Sequence, residues 1–427
     1  MTLTLETLFR AIDNKRDELV SLTQELVRIP TINPPGECYQ DCARYIGERL
    51  EKRGFTIDYV RATGAIGDSD RYPRMNVIAR WEGAASGPTV HFNSHIDVVE
   101  VGAGWSFDPF AAEVHEGRIY GRGTCDMKGG LAASIIALET LIEQCPSLAG
   151  SLEISGTADE ESGGFGGVAY LAERGYFSKP RVDHVIIPEP LNKHRICLGH
   201  RGVWWAELVT SGRMAHGSMP FLGDCAVRHM GAVIDAFENK LFPQLRQKHT
   251  AMPVVPDGAK ESTLNINSLH GGQSEEFAGL PAPLVPDSCR MVIDRRFLIE
   301  EDLSEVKAEV AKILEDLKSE RPNFRYELRD LFEVAPSMTA QDAPVVRAVE
   351  QGIKQVLQRN PEFVVSPGTY DQKHIDRIGR LHDCIAYGPG ILDLAHQSDE
   401  YVVIDDMLDA AKVMASASYN LLGGIQA

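Results

Sequence analysis

The chain has 427 residues, and 43 Lys or Arg against 61 Asp or Glu give a formal net charge of −18 at pH 7. Such an acidic chain repels polyanions, which excludes nucleic acid and an anionic membrane surface as its main partners. Hydrophobic residues make up 43% and charged residues 24%, a globular composition in a chain long enough for two domains.

The N-terminal residues contain no basic region followed by an apolar stretch, so no secretory signal is predicted. The longest apolar run, residues 129–141, is interrupted by Glu139 and falls short of the roughly 20 residues of a membrane-spanning helix. The eight cysteines are scattered along the chain, which is typical of reduced thiols. We therefore expect a cytoplasmic protein.

Helical and strand-like patterns alternate through the first half of the chain. The predicted helices cover residues 5–29, 38–53, 128–144 and 164–174, and the predicted strands cover residues 56–60, 75–81, 89–93, 151–157 and 184–188. This alternation predicts an α/β fold with a mostly parallel sheet flanked by helices.

The pattern changes near residue 202. Strands are predicted over 203–210, 263–269, 289–298 and 324–331, with helices over 224–239 and 303–317, and two further helices follow at 343–358 and 405–422. We predict a discontinuous domain, 1–202 and 334–427, that carries an inserted α+β domain, 203–333.

Polar residues that follow predicted strands are candidates for a functional site, because ligands of α/β sheets bind beyond the carboxyl ends of the strands. His95 and Asp97 follow one strand, and their spacing turns both side chains to the same side. His-x-Asp on its own is more often structural. When it is functional, the carboxylate fixes the histidine tautomer and favours metal binding.

The other candidates also have ordinary explanations when taken singly. Asp126 begins a predicted helix and suits an N-cap, and the surrounding glycines lack the spacing of a nucleotide loop. Residues 159–161 form an acidic run that suits a solvated loop. Glu189 ends another strand, and His396 lies in a predicted loop.

Taken together, these positions predict a metal centre. The candidate ligands are His95, Asp126, Glu161, Glu189 and His396. Two histidines and three carboxylates suit one or two divalent ions such as Zn²⁺, Mn²⁺ or Co²⁺. Glu160, adjacent to a ligand but directed elsewhere, is the candidate general base.

Five stretches give the chain a resemblance to a known family. They are SHIDVV (94–99), GRGTCDMKGG (121–130), DEESGG (159–164), PEP (188–190) and AH (395–396). In this order they resemble the acetylornithine deacetylase, succinyl-diaminopimelate desuccinylase, aminoacylase and carboxypeptidase G family of co-catalytic metallohydrolases. The resemblance spans essentially the whole chain.

The resemblance implies a role for each candidate in a zinc-exopeptidase-like catalytic domain. Asp126 would bridge two metals, His95 and Glu189 would complete one site, and Glu161 and His396 the other. Glu160 would be the catalytic glutamate, and Asp97 would orient a ligand.

The inserted domain would be a lid that also forms a homodimer or a higher oligomer. His216 would stabilise the developing oxyanion, in some relatives from the partner subunit. The alternative is a histidine at a strand end that packs within the lid. Substrate-binding candidates in the lid are Arg296, with Arg290 and Arg295 as competitors, and Asn267.

A loop at residues 366–373 departs from the family pattern. Gly368 and Thr369 match its substrate-binding residues, but Tyr370 stands where relatives have a small residue. Tyr370 either favours a planar or aromatic substrate or packs inward, and both interpretations stay open.

The sequence therefore predicts a metal-dependent hydrolase of a C–N bond in a small anionic molecule. Deacylation of an N-acyl amino acid is preferred, and Glu189 favours a deacylase or carboxypeptidase over an aminopeptidase. One alternative is an aminohydrolase that releases ammonia from an aromatic amine such as nitroanthranilic acid. Another is a noncatalytic metal-binding relative, against which the full set of ligands and the base argues.

Overall fold

The computed structural model describes residues 4–272, 280 and 282–424. They divide into two compact units, a first unit of residues 1–199, 338–364 and 370–427 and a second unit of residues 200–337 and 365–369. The long breaks lie within four residues of the predicted boundaries at 202/203 and 333/334. The short segment 365–369 has no counterpart in the predicted division.

The helices and strands of the described residues are numbered in chain order. The helices are α1 (Leu5–Asp13), α2 (Arg16–Val27), α3 (Tyr39–Glu51), α4 (Gly129–Gln144), α5 (Tyr170–Ala172), α6 (Ala226–Ala236), α7 (Phe242–Leu245), α8 (Leu303–Glu320), α9 (Pro344–Leu357), α10 (Gln372–Arg377) and α11 (Ile404–Leu421). The strands are β1 (Thr56–Arg61), β2 (Met75–Glu82), β3 (Ala85–His95), β4 (Glu113–His115), β5 (Arg118–Tyr120), β6 (Ala149–Thr157), β7 (His184–Ile187), β8 (Arg195–His200), β9 (Gly202–Ser211), β10 (Thr263–Gly271), β11 (Ser288–Phe297), β12 (Arg325–Val334), β13 (Ser337–Met338), β14 (Glu362–Ser366), β15 (Cys384–Ala386) and β16 (Tyr401–Val403).

The large sheet has the strand order β1-β2-β6-β3-β7-β15-β8-β13, with β14 beside β8. Its middle strands β6, β3, β7 and β15 run parallel, whereas β1, β2 and β8 join antiparallel. The prediction of an α/β fold with a mostly parallel sheet is confirmed at the centre of the sheet.

Helix α4 explains the long apolar run of the sequence. Its residues from Gly129 to Leu141 are all buried, and α11 and α2 pack against it. Glu139, the charged residue in the run, is 1% exposed and pairs with Arg49, Nη2 to Oε2, at 2.7 Å. The run is therefore the core helix of the first unit. None of the described helices combines the length and apolar content needed to cross a bilayer.

The parallel strands bring their carboxyl ends to one edge of the sheet. Strand β3 ends at His95, β6 at Thr157 and β7 at Ile187. The candidate residues of 95–97, 159–161 and 189 follow directly, so the strand order alone brings three distant parts of the chain together.

Two predicted helices differ from the observed ones. The helix predicted over 5–29 is divided into α1 and α2, and that over 164–174 keeps only the short α5 after an irregular turn. In this turn a Cβ at Gly167 would lie 2.0 Å from the carbonyl oxygen of Ala158. The glycine permits close contact between the turn and the acidic segment before it, and this contact replaces a regular helix.

The second unit contains an antiparallel sheet in the order β10-β11-β9-β12. Alternate residues of β9, namely Trp204, Ala206 and Leu208, are buried against α6 and α8. This arrangement matches the predicted α+β pattern of this part of the chain.

A glycine contact beside the site gives a testable prediction for stability. A Cβ at Gly130, in the first turn of α4, would lie 2.1 Å from the carbonyl oxygen of Pro188. We expect Gly130→Ala to lower the free energy of unfolding by about 1–3 kcal/mol through overpacking. Urea denaturation measures this change.

Gly231→Ala is the matched control, because a Cβ at Gly231 in α6 would meet nothing within 4 Å. It should leave stability unchanged or raise it by up to about 1 kcal/mol. Equal effects of the two variants would contradict the proposed close contact.

Candidate metal centre

The five predicted ligands come together in the first unit. They form two groups, His95 with Asp126 and Glu189, and Asp126 with Glu161 and His396. In each group one ligand atom per residue lies within 4.8 Å of the others. Asp126 belongs to both groups: its Oδ1 lies 3.0 Å from Nε2 of His95, and its Oδ2 lies 3.5 Å from Nε2 of His396.

His95 is held in a conformation suited to metal binding. Its Nδ1 lies 2.9 Å from the carbonyl oxygen of Asp97, and its Nε2 lies 3.0 Å from Oδ1 of Asp126. Hydrogen bonding of Nδ1–H to the carbonyl leaves the lone pair of Nε2 facing the site.

The Asp97 carboxylate holds the turn that carries the next two functional candidates. It is buried and accepts hydrogen bonds from the amides of Glu160 at 3.2 Å and Glu161 at 3.1 Å. Asn33 Nδ2 donates to the same carboxylate at 2.8 Å. The carboxylate of Asp97, predicted to orient a ligand, also places Oδ1 3.6 Å from His95 Nδ1, beside the main-chain carbonyl that makes the hydrogen bond. Asn33 carried no sequence signal.

The three acidic residues 159–161 each contact a different basic side chain. Asp159 Oδ2 meets Arg74 Nε at 3.1 Å, Glu160 Oε1 meets Lys373 Nζ at 2.8 Å, and Glu161 Oε1 meets His396 Nε2 at 3.1 Å. Burial, together with the charge of Asp97, raises the pKa of Asp159 to about 6. A solvated acidic loop, the ordinary interpretation of this run, does not describe these side chains.

The donor set fits divalent metal ions. Burial and the neighbouring charge of Asp126 raise the pKa of Glu189 well above its usual value. Burial also raises the pKa of Glu161, against the hydrogen bond from His396. Within the described residues, Asp126, Glu161 and Glu189 form no ion pair with Lys or Arg. Oxygen and imidazole ligands with uncompensated negative charge suit Zn²⁺, Mn²⁺ or Co²⁺.

A buried ion pair that the sequence did not reveal connects two ligand-bearing loops. Glu400 Oε1 accepts hydrogen bonds from the amides of Cys125 at 2.9 Å and Asp126 at 3.1 Å. Its Oε2 lies 2.6 Å from Nη1 of Arg122, and the two side chains are 1% and 2% exposed. Arg122 also donates to the carbonyl of His396 at 3.3 Å. The Arg122–Glu400 pair therefore joins the Asp126 loop to the His396 loop.

Glu160 belongs to neither ligand group. Lys373, which holds its Oε1, is itself buried. Burial lowers the pKa of Lys373, but the charges of Glu160 and Asp371 outweigh this effect and raise it. Asp371 accepts a hydrogen bond from Asn93 Nδ2 at 2.9 Å, so the segment with Lys373 is tied to strand β3. A charged lysine thus holds one oxygen of the candidate base.

The other predicted site residues lie in the second unit. His216 is exposed in the loop after β9, with Nδ1 2.7 Å from Ser218 Oγ. Asn267 is exposed on β10, where its Oδ1 accepts a hydrogen bond from Asn265 at 2.8 Å. Arg296 forms a two-pronged contact with Asp294, at 2.7 and 3.0 Å. The guanidinium predicted to bind the substrate carboxylate therefore already binds a carboxylate of its own strand.

The loop at 366–373 falls in both units. Gly368 and Thr369 lie in the second unit and are half-buried. Tyr370 lies in the first unit, is 5% exposed and donates its hydroxyl to Oε1 of Gln372. Tyr370 packs inward in the structure, which is one of the two interpretations of this residue.

Two ligand groups that share an aspartate, beside a non-ligand glutamate, are the arrangement expected of a metal-dependent hydrolase. Residues 91–420 match the family described as peptidase family M20/M25/M40, and the chain belongs to this family. The predicted family and enzyme class are confirmed.

Comparison with single proteins finds similarity over nearly the full length of the chain. Succinyl-diaminopimelate desuccinylase of Hydrogenovibrio crunogenus is 25% identical over 413 residues, which cover 95% of this chain and 99% of that protein. Human carnosine dipeptidase 1 has a TM-score of 0.77 at 19% identity, with 99% of this chain and 100% of that chain covered. An M20 family metallo-carboxypeptidase from Sulfolobus solfataricus has a TM-score of 0.76 at 21% identity, with 95% and 99% covered. The two structures share the fold of this chain.

Proposed function

We propose that this metal-dependent hydrolase removes the acyl group from an N-acyl amino acid. The observation that carries the proposal is the position of Glu160, a glutamate outside both ligand groups but adjacent in sequence to a ligand and held by Lys373. The near full-length similarity to a desuccinylase supports deacylation over other cleavages of C–N bonds. The proposed substrate is a small anionic molecule.

In this proposal the chain holds one or two Zn²⁺, Mn²⁺ or Co²⁺ ions. Asp126 would be shared, with His95 and Glu189 on one side and Glu161 and His396 on the other. When bound, such ions act as Lewis acids on a carbonyl oxygen and make water a stronger acid.

Glu160 would accept the proton of the attacking water and pass it to the leaving nitrogen. Its Oε1 is occupied by Lys373, and Oε2 has no hydrogen-bond partner among the described residues. The Glu160 side chain is 12% exposed, so Oε2 is the atom available for proton transfer. Lys373 would keep this carboxylate oriented through the reaction.

The second unit would contribute His216 to stabilise the oxyanion. Its exposed position in the loop after β9 is compatible with this role. The same loop exposes Met214, Phe221 and Leu222 by 54, 78 and 55%, an apolar surface that supports a homodimer through this unit.

The decisive experiment identifies the bond that is cleaved. Protein loaded with Mn²⁺ or Zn²⁺ is incubated with pooled N-acetyl and N-succinyl amino acids, dipeptides and aminobenzoates, and the products are read by mass spectrometry. We expect loss of an acyl group from one member. Replacement of an aromatic amine by hydroxyl, with the acyl compounds unchanged, would overturn the proposal in favour of the aminohydrolase alternative.

Metal removal should abolish activity and destabilise the protein. Without cations the carboxylates of Asp126, Glu161 and Glu189 are close together and uncompensated; burial, and then the charge of Asp126, raise the pKa of Glu189. At free metal 100-fold above its dissociation constant, binding adds about 2.7 kcal/mol to stability. Thermal unfolding with chelator, and after addition of Zn²⁺, measures the difference. Asp126→Asn is the control and should lose most of the response, whereas an unchanged Tm on chelation would count against a metal centre.

A further inference from the structure

One face of the central strands β3 and β6 carries polar side chains inside the first unit. Alternate residues of a strand point to the same side, and the two strands are paired in register. The residues on this side that are 0% exposed and joined to each other, called the polar row below, are His91 and Asn93 of β3 and Glu153 and Ser155 of β6. Buried polar groups carry a desolvation cost that apolar residues of similar size avoid.

The polar row is continuous from a carboxylate to an amide. His91 Nδ1 lies 2.9 Å from Oε2 of Glu153, and His91 Nε2 lies 2.7 Å from Oγ of Ser155. Ser155 donates its hydroxyl to Oδ1 of Asn93 at 2.8 Å. Because a hydroxyl has a single hydrogen, Ser155 accepts the hydrogen bond of the His91 Nε2–H group. These contacts fix the Asn93 amide so that its Nδ2 faces away from Ser155 as a donor.

Glu153 anchors one end of the polar row. Its Oε1 lies 2.6 Å from Nη1 of Arg80 and 3.0 Å from Nη2 of Arg181. Burial raises the pKa of the Glu153 carboxyl, but the contacts with His91 and the two arginines outweigh burial and lower it. Glu153 is therefore a carboxylate whose position is set by two guanidinium groups.

The other end of the polar row reaches the segment that contacts the candidate base. Asn93 Nδ2 donates to Oδ2 of Asp371 at 2.9 Å, and Asp371 is 1% exposed. Asp371 is the N-cap residue of α10, and Lys373 lies in the first turn of this helix. Lys373 Nζ in turn lies 2.8 Å from Oε1 of Glu160. The polar row therefore ends two residues before the lysine that holds Glu160.

We infer that the polar row is a positioning device for Glu160. Ser155 and Asn93 fix the Asp371 carboxylate and with it the first turn of α10, which presents Lys373 to Glu160. The inference rests on the proposed function, because it takes Glu160 as the general base. The four residues of the row belong to neither ligand group. They are positioning residues, and a small displacement of a base from its productive geometry is enough to slow a reaction.

The test compares Ser155→Ala with the matched variant Ser134→Ala. Both serines are 0% exposed in the first unit, but Ser134 Oγ donates to the carbonyl of Leu131 within α4 at 2.8 Å. Kinetics are measured on the substrate that the mass-spectrometric screen identifies. Ser155→Ala should lower kcat about 10-fold and change KM by less than about 3-fold, whereas Ser134→Ala should leave both unchanged. A wild-type kcat in Ser155→Ala would overturn the inference.

A second comparison tests whether the effect passes through Glu160. In the Glu160→Gln background, Ser155→Ala should change the remaining rate by less than about 2-fold, because the base that the row positions is absent. A merely structural role of Ser155 would lower the rate by the same factor in both backgrounds. That result would also overturn the inference.

A measurement without substrate separates this inference from the proposed function. In urea unfolding of the Zn²⁺-loaded protein, the effects of Ser155→Ala and Lys373→Met should be non-additive, whereas those of Ser134→Ala and Lys373→Met should add. Additive effects of Ser155→Ala and Lys373→Met would contradict the connection between the row and Lys373. If no N-acyl compound is hydrolysed while this coupling is found, deacylation fails and the positioning device stands.

Discussion

Glu160→Gln is expected to lower kcat at least about 100-fold, the effect of removing a general base. Glutamine keeps the shape of the side chain and an oxygen that can accept the hydrogen bond of Lys373, but it cannot take up a proton. Because Glu160 lies outside both ligand groups, metal content should remain that of the wild type. Steady-state kinetics on the substrate found by mass spectrometry, with elemental analysis of the same samples, measures both quantities.

Glu173→Gln is a suitable control, since the Glu173 side chain is 63% exposed and stands outside both ligand groups. It should retain full activity. A Glu160→Gln enzyme that also retains activity would remove Glu160 from proton transfer. Loss of metal together with loss of rate would instead assign Glu160 to the ligands.

We expect the second large effect, on stability and on metal binding, from breaking the Arg122–Glu400 ion pair. Glu400→Gln leaves Arg122 as an uncompensated buried charge, a change that costs about 3–5 kcal/mol. The same carboxylate fixes the amide of Asp126, and its partner fixes the carbonyl of His396. We therefore expect the metal position between Asp126 and His396 to bind at least about 10-fold more weakly. Urea unfolding and metal-to-protein ratios after dialysis measure the two effects.

Glu139→Gln separates metal binding from stability in general. Glu139 lies on the buried helix α4 and forms an ion pair with Arg49. The Glu139→Gln variant therefore also breaks a buried ion pair of the first unit. We expect it to reduce stability without changing metal affinity. If both variants are destabilised and both bind metal normally, the Arg122–Glu400 pair contributes to folding alone.

The sequence predicted the site residues whose positions follow from the ends of the predicted strands. A parallel sheet brings the ends of its strands to one edge, so residues 95–97, 159–161 and 189 could be recognised as neighbours from strand positions alone. Asp126, at a predicted helix start, and His396, in a predicted loop, were added because the combined set of histidines and carboxylates suits divalent metal ions. No comparable rule predicts which distant side chains pair with the residues of the site. Lys373 lies 213 residues from its partner Glu160, and Glu400 lies 278 residues from its partner Arg122.

The substrate-binding candidates stay predictions, and they were chosen by residue chemistry without knowledge of their contacts. Arg296 was selected because its chemistry suits a carboxylate, but two residues away on the same face of the strand stands Asp294. Residues two apart on an extended strand lie on the same face, so the spacing of Asp294 and Arg296 already permits this contact. The burial of Tyr370 depends on Gln372 and on tertiary packing, and the sequence left it open.

The division of the chain has a consequence for protein engineering. Since residues 365–369 belong to the second unit, a chimaera that exchanges only 200–337 between relatives would combine parts from two parents. The bridge between Val254 and Val365 and the hydrogen bond from Arg201 to Pro367 would then join unmatched sequences. A graft that carries both segments together should transfer this unit, and any selectivity it holds, with its internal contacts complete.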